Sequence, residues 1–143
     1  MKKTVLICII LNILPLIANA RDIHVPAEFS TIQEAINYAT SSDTIVLADG
    51  VYTGEGNRNL FMSNPGIEMI SANGPDNCII DCQASEDDKH NGMFISVGYD
   101  SLTLIQGITF RNAYSYTGGG IDIYAGDPTI SNCVFENNYA IKG

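Results

Sequence analysis

The sequence predicts an all-β fold, a parallel β-helix solenoid with a short capping helix at its N-terminal end. Three observations predict it. First, Ile105-Gln-Gly-Ile-Thr-Phe-Arg-Asn-Ala113 recurs about 25 residues later as Ile130-Ser-Asn-Cys-Val-Phe-Glu-Asn-Asn138. Ile108 then falls on Cys133, Phe110 on Phe135, Asn112 on Asn137 and Tyr114 on Tyr139. Self-similarity at a fixed period marks units that bury their apolar faces by stacking on one another. Second, short apolar runs recur between stretches rich in Gly, Asn, Asp, Ser and Pro, the pattern of brief strands joined by tight corners. Third, helical periodicity occurs once in the mature chain, ahead of the repeats.

The elements follow in order. Lys2 and Lys3 precede an apolar run from Val5 to Ile17 and a small-x-small site, Ala18-Asn19-Ala20. That is the layout of a secretory signal peptide, expected over residues 1–20 with cleavage after Ala20. The run is shorter than the ~20 residues of a spanning helix, so no membrane span is expected. Residues 21–42 form a cap segment. Ile23 to Phe29 reads as a strand and loop, and Ser30 with Gln33 as a capping box. Ile32, Ala35, Ile36 and Ala39 then form one apolar stripe on a short helix, placed to cover the end of the solenoid core.

Residues 43–143 are the coils. Strands are expected at Thr44–Ala48, Gly66–Ile70, Cys78–Cys82, Met93–Val97, Ser101–Ile105, Gly107–Phe110, Ile121–Tyr124 and Thr129–Phe135, with Asp49-Gly50 as a turn. Alternation directs Ile108, Phe110, Cys133 and Phe135 inward, and Thr109, Arg111, Val134 and Glu136 outward. Asn112 and Asn137 come to an inner corner, where their amides form an Asn ladder. Gly143 falls on Gly118, so the sequence stops in mid-repeat. The expectation is a truncated chain, or one whose further coils or partner cover the open end.

Composition narrows the partners. With Lys+Arg 7 against Asp+Glu 16 the net charge is −9, and loss of Lys2 and Lys3 leaves 5 − 16 = −11. Such a surface disfavours nucleic acid and anionic lipid. Polyanionic polysaccharide is disfavoured too, unless Ca²⁺ bridges the charges. Cys78, Cys82 and Cys133 remain after cleavage, an odd number. Cys78 and Cys82 stand four apart in an extended segment, too far to bond, so all three read as small buried hydrophobes.

Several segments resemble the secreted right-handed parallel β-helix proteins of the pectin-lyase-like superfamily. Ile23-His-Val-Pro26, Thr31-Ile-Gln-Glu-Ala-Ile36, Asp43-Thr-Ile-Val46 and Gly50-Val-Tyr52 look like the start common to many exported members. Asn77-Cys-Ile-Ile-Asp-Cys82, Gly107-Ile-Thr-Phe110 and Pro128-Thr-Ile-Ser-Asn-Cys133 are similar to bacterial β-helix repeat proteins. Gly118-Gly-Gly-Ile121 and Phe135-Glu-Asn-Asn138 resemble patterns of chlamydial polymorphic outer-membrane proteins, although Ala113 takes the first Asn slot. The resemblance implies a right-handed helix. It does not carry over the catalytic patterns: of Arg21, Arg58 and Arg111 only Arg111 lies on a coil strand, and Gly54 occupies the Glu slot of the pectin methylesterase start.

No catalytic, cofactor-binding or metal residue is therefore expected. Glu86, Asp87 and Asp88 are the candidates for a Ca²⁺ contact, but three successive acids splay into water. His24 and His90 lack a nucleophile beside them. Gly118-Gly-Gly120 lacks the residues of a phosphate loop and reads as a tight corner. Among Tyr114, Tyr116, Tyr124 and Tyr139, the pair Tyr114 and Tyr139 shares one edge, for glycan contact or for turn packing. The expected protein is an exported surface or extracellular binding or scaffold module for polysaccharide or cell surfaces. The alternative is a carbohydrate lyase, hydrolase or esterase with catalytic coils beyond residue 143.

Overall fold

The computed structural model describes residues 19–98 and 102–142. The leader expected at residues 1–20 lies outside them up to Ala18, as do Ser101 and Gly143. The chain winds through β1 (Asp22–Val25), α1 (Ile32–Tyr38), β2 (Thr44–Leu47), β3 (Gly50–Tyr52), β4 (Leu60–Met62) and β5 (Glu68–Ser71). It continues through β6 (Cys78–Asp81), β7 (Met93–Ser96), β8 (Leu104–Gln106), β9 (Thr109–Arg111) and β10 (Tyr114–Ser115). The last elements are β11 (Ile121–Ala125), β12 (Thr129–Ser131), β13 (Val134–Glu136) and β14 (Tyr139–Ala140).

Every strand pair is parallel and joins one coil to the next. The sheets run β1-β2-β5-β8-β12, β3-β6-β9-β13, β4-β7-β11 and β10-β14. This is a parallel β-helix. The repeat register is confirmed residue by residue: Val134 pairs with Thr109, Phe135 with Phe110 and Glu136 with Arg111. Thr44, however, pairs with Glu68, not with Gly66 as the spacing implied.

Like side chains pile up along the axis. Ile23, Ile45, Met69, Ile105 and Ile130 share one register, Leu60, Met93 and Ile121 another, and Ile80, Phe110 and Phe135 a third. Ile108 and Phe110 have no exposure, as expected of inward residues. Cys133 is only partly buried and Phe135 is 49% exposed. They point inward but lie on the last described coil, with no described residue above them. Phe135 stacks on Phe110 at 5.5 Å and 9°. Thr109 is outward yet buried, because its hydroxyl donates to Pro75 O at 2.8 Å under the loop before β6.

The helix stripe is as expected, with Ile32, Ala35, Ile36 and Ala39 all buried. Its cap lies one residue later than Ser30: Thr31 and Glu34 make the capping box. Gln33, freed from that role, clamps β4, accepting the Phe61 N–H (2.7 Å) and donating to the Phe61 carbonyl (3.1 Å). Strands β3, β4, β10 and β14 were not anticipated, being only two or three residues long. Gly50, expected in a turn, opens β3. Thr129–Phe135 is two strands, bent at Asn132, whose φ is +48°.

The asparagine ladder has other members than expected. Asn112 and Asn137 do occupy equivalent left-handed corners, each with φ +54°. The Asn112 amide, however, donates to Asp81 Oδ1 at 2.9 Å. Amide contacts to the backbone of a neighbouring coil come from Asn138, which accepts the Ala113 N–H (3.0 Å) and donates to the Phe110 carbonyl (2.9 Å). Asn57 accepts the Ile32 N–H (3.0 Å) and Asn64 donates to the Ala39 carbonyl (3.3 Å). All three reach back 25 residues.

Candidate functional site

The loops between the β3-β6-β9-β13 sheet and the β4-β7-β11 sheet bring most of the candidate residues to one side of the solenoid. Strands β10 and β14 pair Tyr114 with Tyr139, and their rings lie 4.6 Å apart at 30°. Lys89 extends over this edge, its ammonium 5.5 Å from the centroids of both Tyr114 and Tyr116. Partial desolvation, with the Glu86 carboxylate nearby, raises the Tyr114 phenol pKa. Tyr116 and Tyr139 are more than half exposed. The period placed the tyrosine pair correctly.

The loop that carries Lys89 is pinned from both sides. Tyr114 N–H donates to the His90 carbonyl at 3.0 Å. Asn59 Oδ1 accepts the Asn91 N–H (2.9 Å), so Asn59 Nδ2 is the donor to His90 Nδ1 (2.7 Å). The ring then carries its proton on Nε2 and donates it to Asp88 Oδ1 at 3.0 Å. Both ring nitrogens are engaged by neighbouring side chains. His24 is exposed on the entry segment, far in sequence from this loop.

The acids do not converge. Glu86, Asp87 and Asp88 are all exposed, and the turn is closed by Ser85 and Asp88 bonding each other. Among the described residues no group of three or more His, Cys, Asp or Glu side chains could hold a metal ion. Gly118-Gly-Gly120 is a corner for the next coil. A Cβ on Gly119 would meet the Tyr139 carbonyl at 2.8 Å, and one on Gly120 the Phe135 ring at 2.7 Å. The glycines let one coil lie on the next.

Arg111, the coil-strand arginine, is occupied as well. Its Nε donates to Asp81 Oδ2 at 2.9 Å, and its Nη1 lies 3.7 Å from Glu136 Oε1. Asp81 also accepts from the Gln83 N–H (3.2 Å) and the Asn112 amide. Burial pushes the Asp81 carboxyl pKa up, but the Asn112 and Arg111 bonds outweigh it and the net shift is downward. The carboxylate staples its own coil to the next, and Arg111 carries the link on to Glu136 on a third. Cys78, Cys82 and Cys133 are free thiols; burial pushes Cys78 and Cys82 up to about 12 and raises Cys133 as well.

One row of residues was missed. On the outer face of the β4-β7-β11 sheet, Phe61 lies 5.8 Å from Phe94 at 23°, and Phe94 lies 6.1 Å from Tyr124 at 24°. These separations are those of offset rings, which leave part of each ring uncovered. Phe61 is 49% and Tyr124 78% exposed. The signal was present in Leu60-Phe-Met62 and Met93-Phe-Ile-Ser96, where the phenylalanine takes the outward slot between inward apolar residues. Tyr124 joins the row through a register shift between Ile123 and Ala125. No cavity is found among the described residues.

Fold and surface together define a parallel β-helix with two rows of exposed aromatic rings and polar clusters that are bonded internally. The chain matches no protein-family model, and no curated protein matches it.

Proposed function

We propose that the protein is an exported β-helix module that binds polysaccharide or glycan-bearing cell surfaces along its outside, and that it belongs among the secreted pectin-lyase-like β-helix proteins its segments resemble. The observation that carries the reading is what the surface leaves uncommitted. The histidine, the coil arginine and its carboxylate are each engaged by neighbouring protein atoms. The rings of Tyr114 and Tyr139, and of Phe61, Phe94 and Tyr124, are left in rows across successive coils. Exposed apolar rows of this kind mark interaction surfaces, and a linear arrangement suits an extended chain more than a compact ligand. The negative charge favours a neutral chain over a polyanion. The small-x-small site at Ala18 to Ala20 supports export, and no helix among the described residues is long and apolar enough to cross a membrane.

Electrophoresis through gels containing soluble neutral or acidic polysaccharides tests this. Retardation by a neutral polymer is expected, reduced by Tyr114→Ala with Tyr139→Ala or by Phe61→Ala with Tyr124→Ala. Migration unaffected by every polymer would refute glycan binding. Release of reducing or unsaturated ends from the polymer would establish an enzyme instead.

A further inference from the structure

Asp43 is a carboxylate held almost wholly out of water, its side chain only 3% exposed. The two oxygens are served unequally. Oδ2 accepts the Thr40 N–H and hydroxyl, both at 2.9 Å, and the Arg21 Nε–H at 3.3 Å. Oδ1 accepts from the backbone nitrogen of Arg21 at 3.2 Å, a long contact for so buried an acceptor. Arg21 is also the residue that follows Ala18-Asn19-Ala20. The nitrogen facing Asp43 is the atom that leader removal after Ala20 turns from an amide into an α-amine.

The rest of Arg21 is already fixed in the fold. Its carbonyl accepts the Thr44 N–H at 2.9 Å, at the mouth of the β1–β2 pairing. Its guanidinium lies 4.2 Å over the Tyr38 ring at the end of α1 and donates to the Tyr38 hydroxyl at 2.8 Å. Asn19 and Ala20 are exposed, so their departure removes no buried contact.

We propose that Asp43 is the docking site of the processed N-terminus, so that maturation completes an ion pair which the precursor lacks. This rests on the reading of the chain as exported with cleavage after Ala20. Hydrolysis adds water across the Ala20–Arg21 bond; the leader leaves with the Ala20 carboxylate, and the Arg21 amine takes up a proton. A neutral N–H donor thereby becomes an ammonium against a carboxylate whose side chain is buried, and charge-assisted bonds are shorter and stronger than neutral ones. The groups facing the new charge are Asp43, the Arg21 guanidinium on the opposite oxygen, and the Tyr38 phenol, with exposed Asp22 next in the chain. The guanidinium opposes the ammonium, but it is itself drawn off towards Tyr38.

The test compares two full mature chains at pH 7, one starting at Arg21 with a free amine and one with that amine acetylated. The free amine is expected to raise Tm by about 3 °C or more. The advantage should hold below about pH 7.7 and fade as the amine loses its proton above it. Asp43→Asn in both chains should erase the difference, and acetylation makes the comparison without disturbing the carboxylate. Equal Tm values for the free and acetylated chains would overturn docking. Sequencing the N-terminus of the exported protein separates the premise from the inference, since a first residue other than Arg21 would overturn the link to processing.

Discussion

Phe110 and Phe135 occupy the same slot one repeat apart, and the structure predicts that truncating them has very different consequences. Phe110 has no exposure; it lies in register with Ile80 on one side and against the Phe135 ring on the other. Burying a phenylalanine removes on the order of 150 Å² or more from water. At about 25 cal/mol per Å² that is roughly 4 kcal/mol, and a closed cavity remains, so Phe110→Ala should cost about 3–5 kcal/mol. Phe135 keeps 49% of its exposure, which halves the area term, and its removal leaves an open notch without a cavity penalty. Phe135→Ala in the 143-residue chain should cost about 1–2 kcal/mol. The two share a stacking term of about 1 kcal/mol, which the double variant loses only once. Urea unfolding of the two single variants and the double variant gives the three midpoints at a common slope. Equal costs for the single variants would refute the burial argument, and additive costs would refute the stack.

Gly92→Ala should destabilise by about 2–3 kcal/mol, because the new Cβ would meet the Gly120 carbonyl at 2.3 Å and the Phe110 ring at 2.8 Å. A wild-type urea midpoint would contradict the close approach of these coils. Asp43 and Asp81 both have lowered pKa values, although burial alone would raise them; the bonds to Thr40 and Arg21, and to Asn112 and Arg111, prevail. Their contribution is present above about pH 4 and lost as pH falls below it, so Tm measured against pH should drop on the acid side and drop less in Asp81→Asn. Cys78 and Cys82, raised to about 12 by burial, should resist alkylation at pH 8 in the native protein. Half-buried Cys133 should react first, and mass spectrometry of the modified peptides reads the order.

The fold was legible because its information is local and repeated. In Gly107-Ile-Thr-Phe-Arg and Asn132-Cys-Val-Phe-Glu the apolar slots alternate at period two, and a coil that stacks on its copy must set those slots in register. The helix stripe was legible on the same ground, one face at a helical period. Strands β3 and β4 escaped because three residues carry barely one alternation. The capping box slipped by one residue because Ser30 with Gln33 and Thr31 with Glu34 both satisfy the pattern. What separates them is the contact of Gln33 with Phe61, which lies 28 residues away and belongs to tertiary structure.

The surface was less legible because outward neighbours depend on loop lengths that the repeat does not fix. The tyrosine pair was found only where two coils have equal length, so that Tyr114 and Tyr139 fall on one spacing. Phe61 and Phe94 are separated by a longer coil, enlarged by the loop that contains Glu86 to Asn91, and Tyr124 needs the register shift beyond Ile123 to come beside Phe94. Inward slots tolerate such variation, since any apolar residue there meets another. Outward slots do not, because solvent accepts either a polar or an aromatic residue and gives no signal of which coils align. The same asymmetry explains Asn112: its corner follows from the backbone, but its partner Asp81 could be named only once the register of β6 on β9 was known.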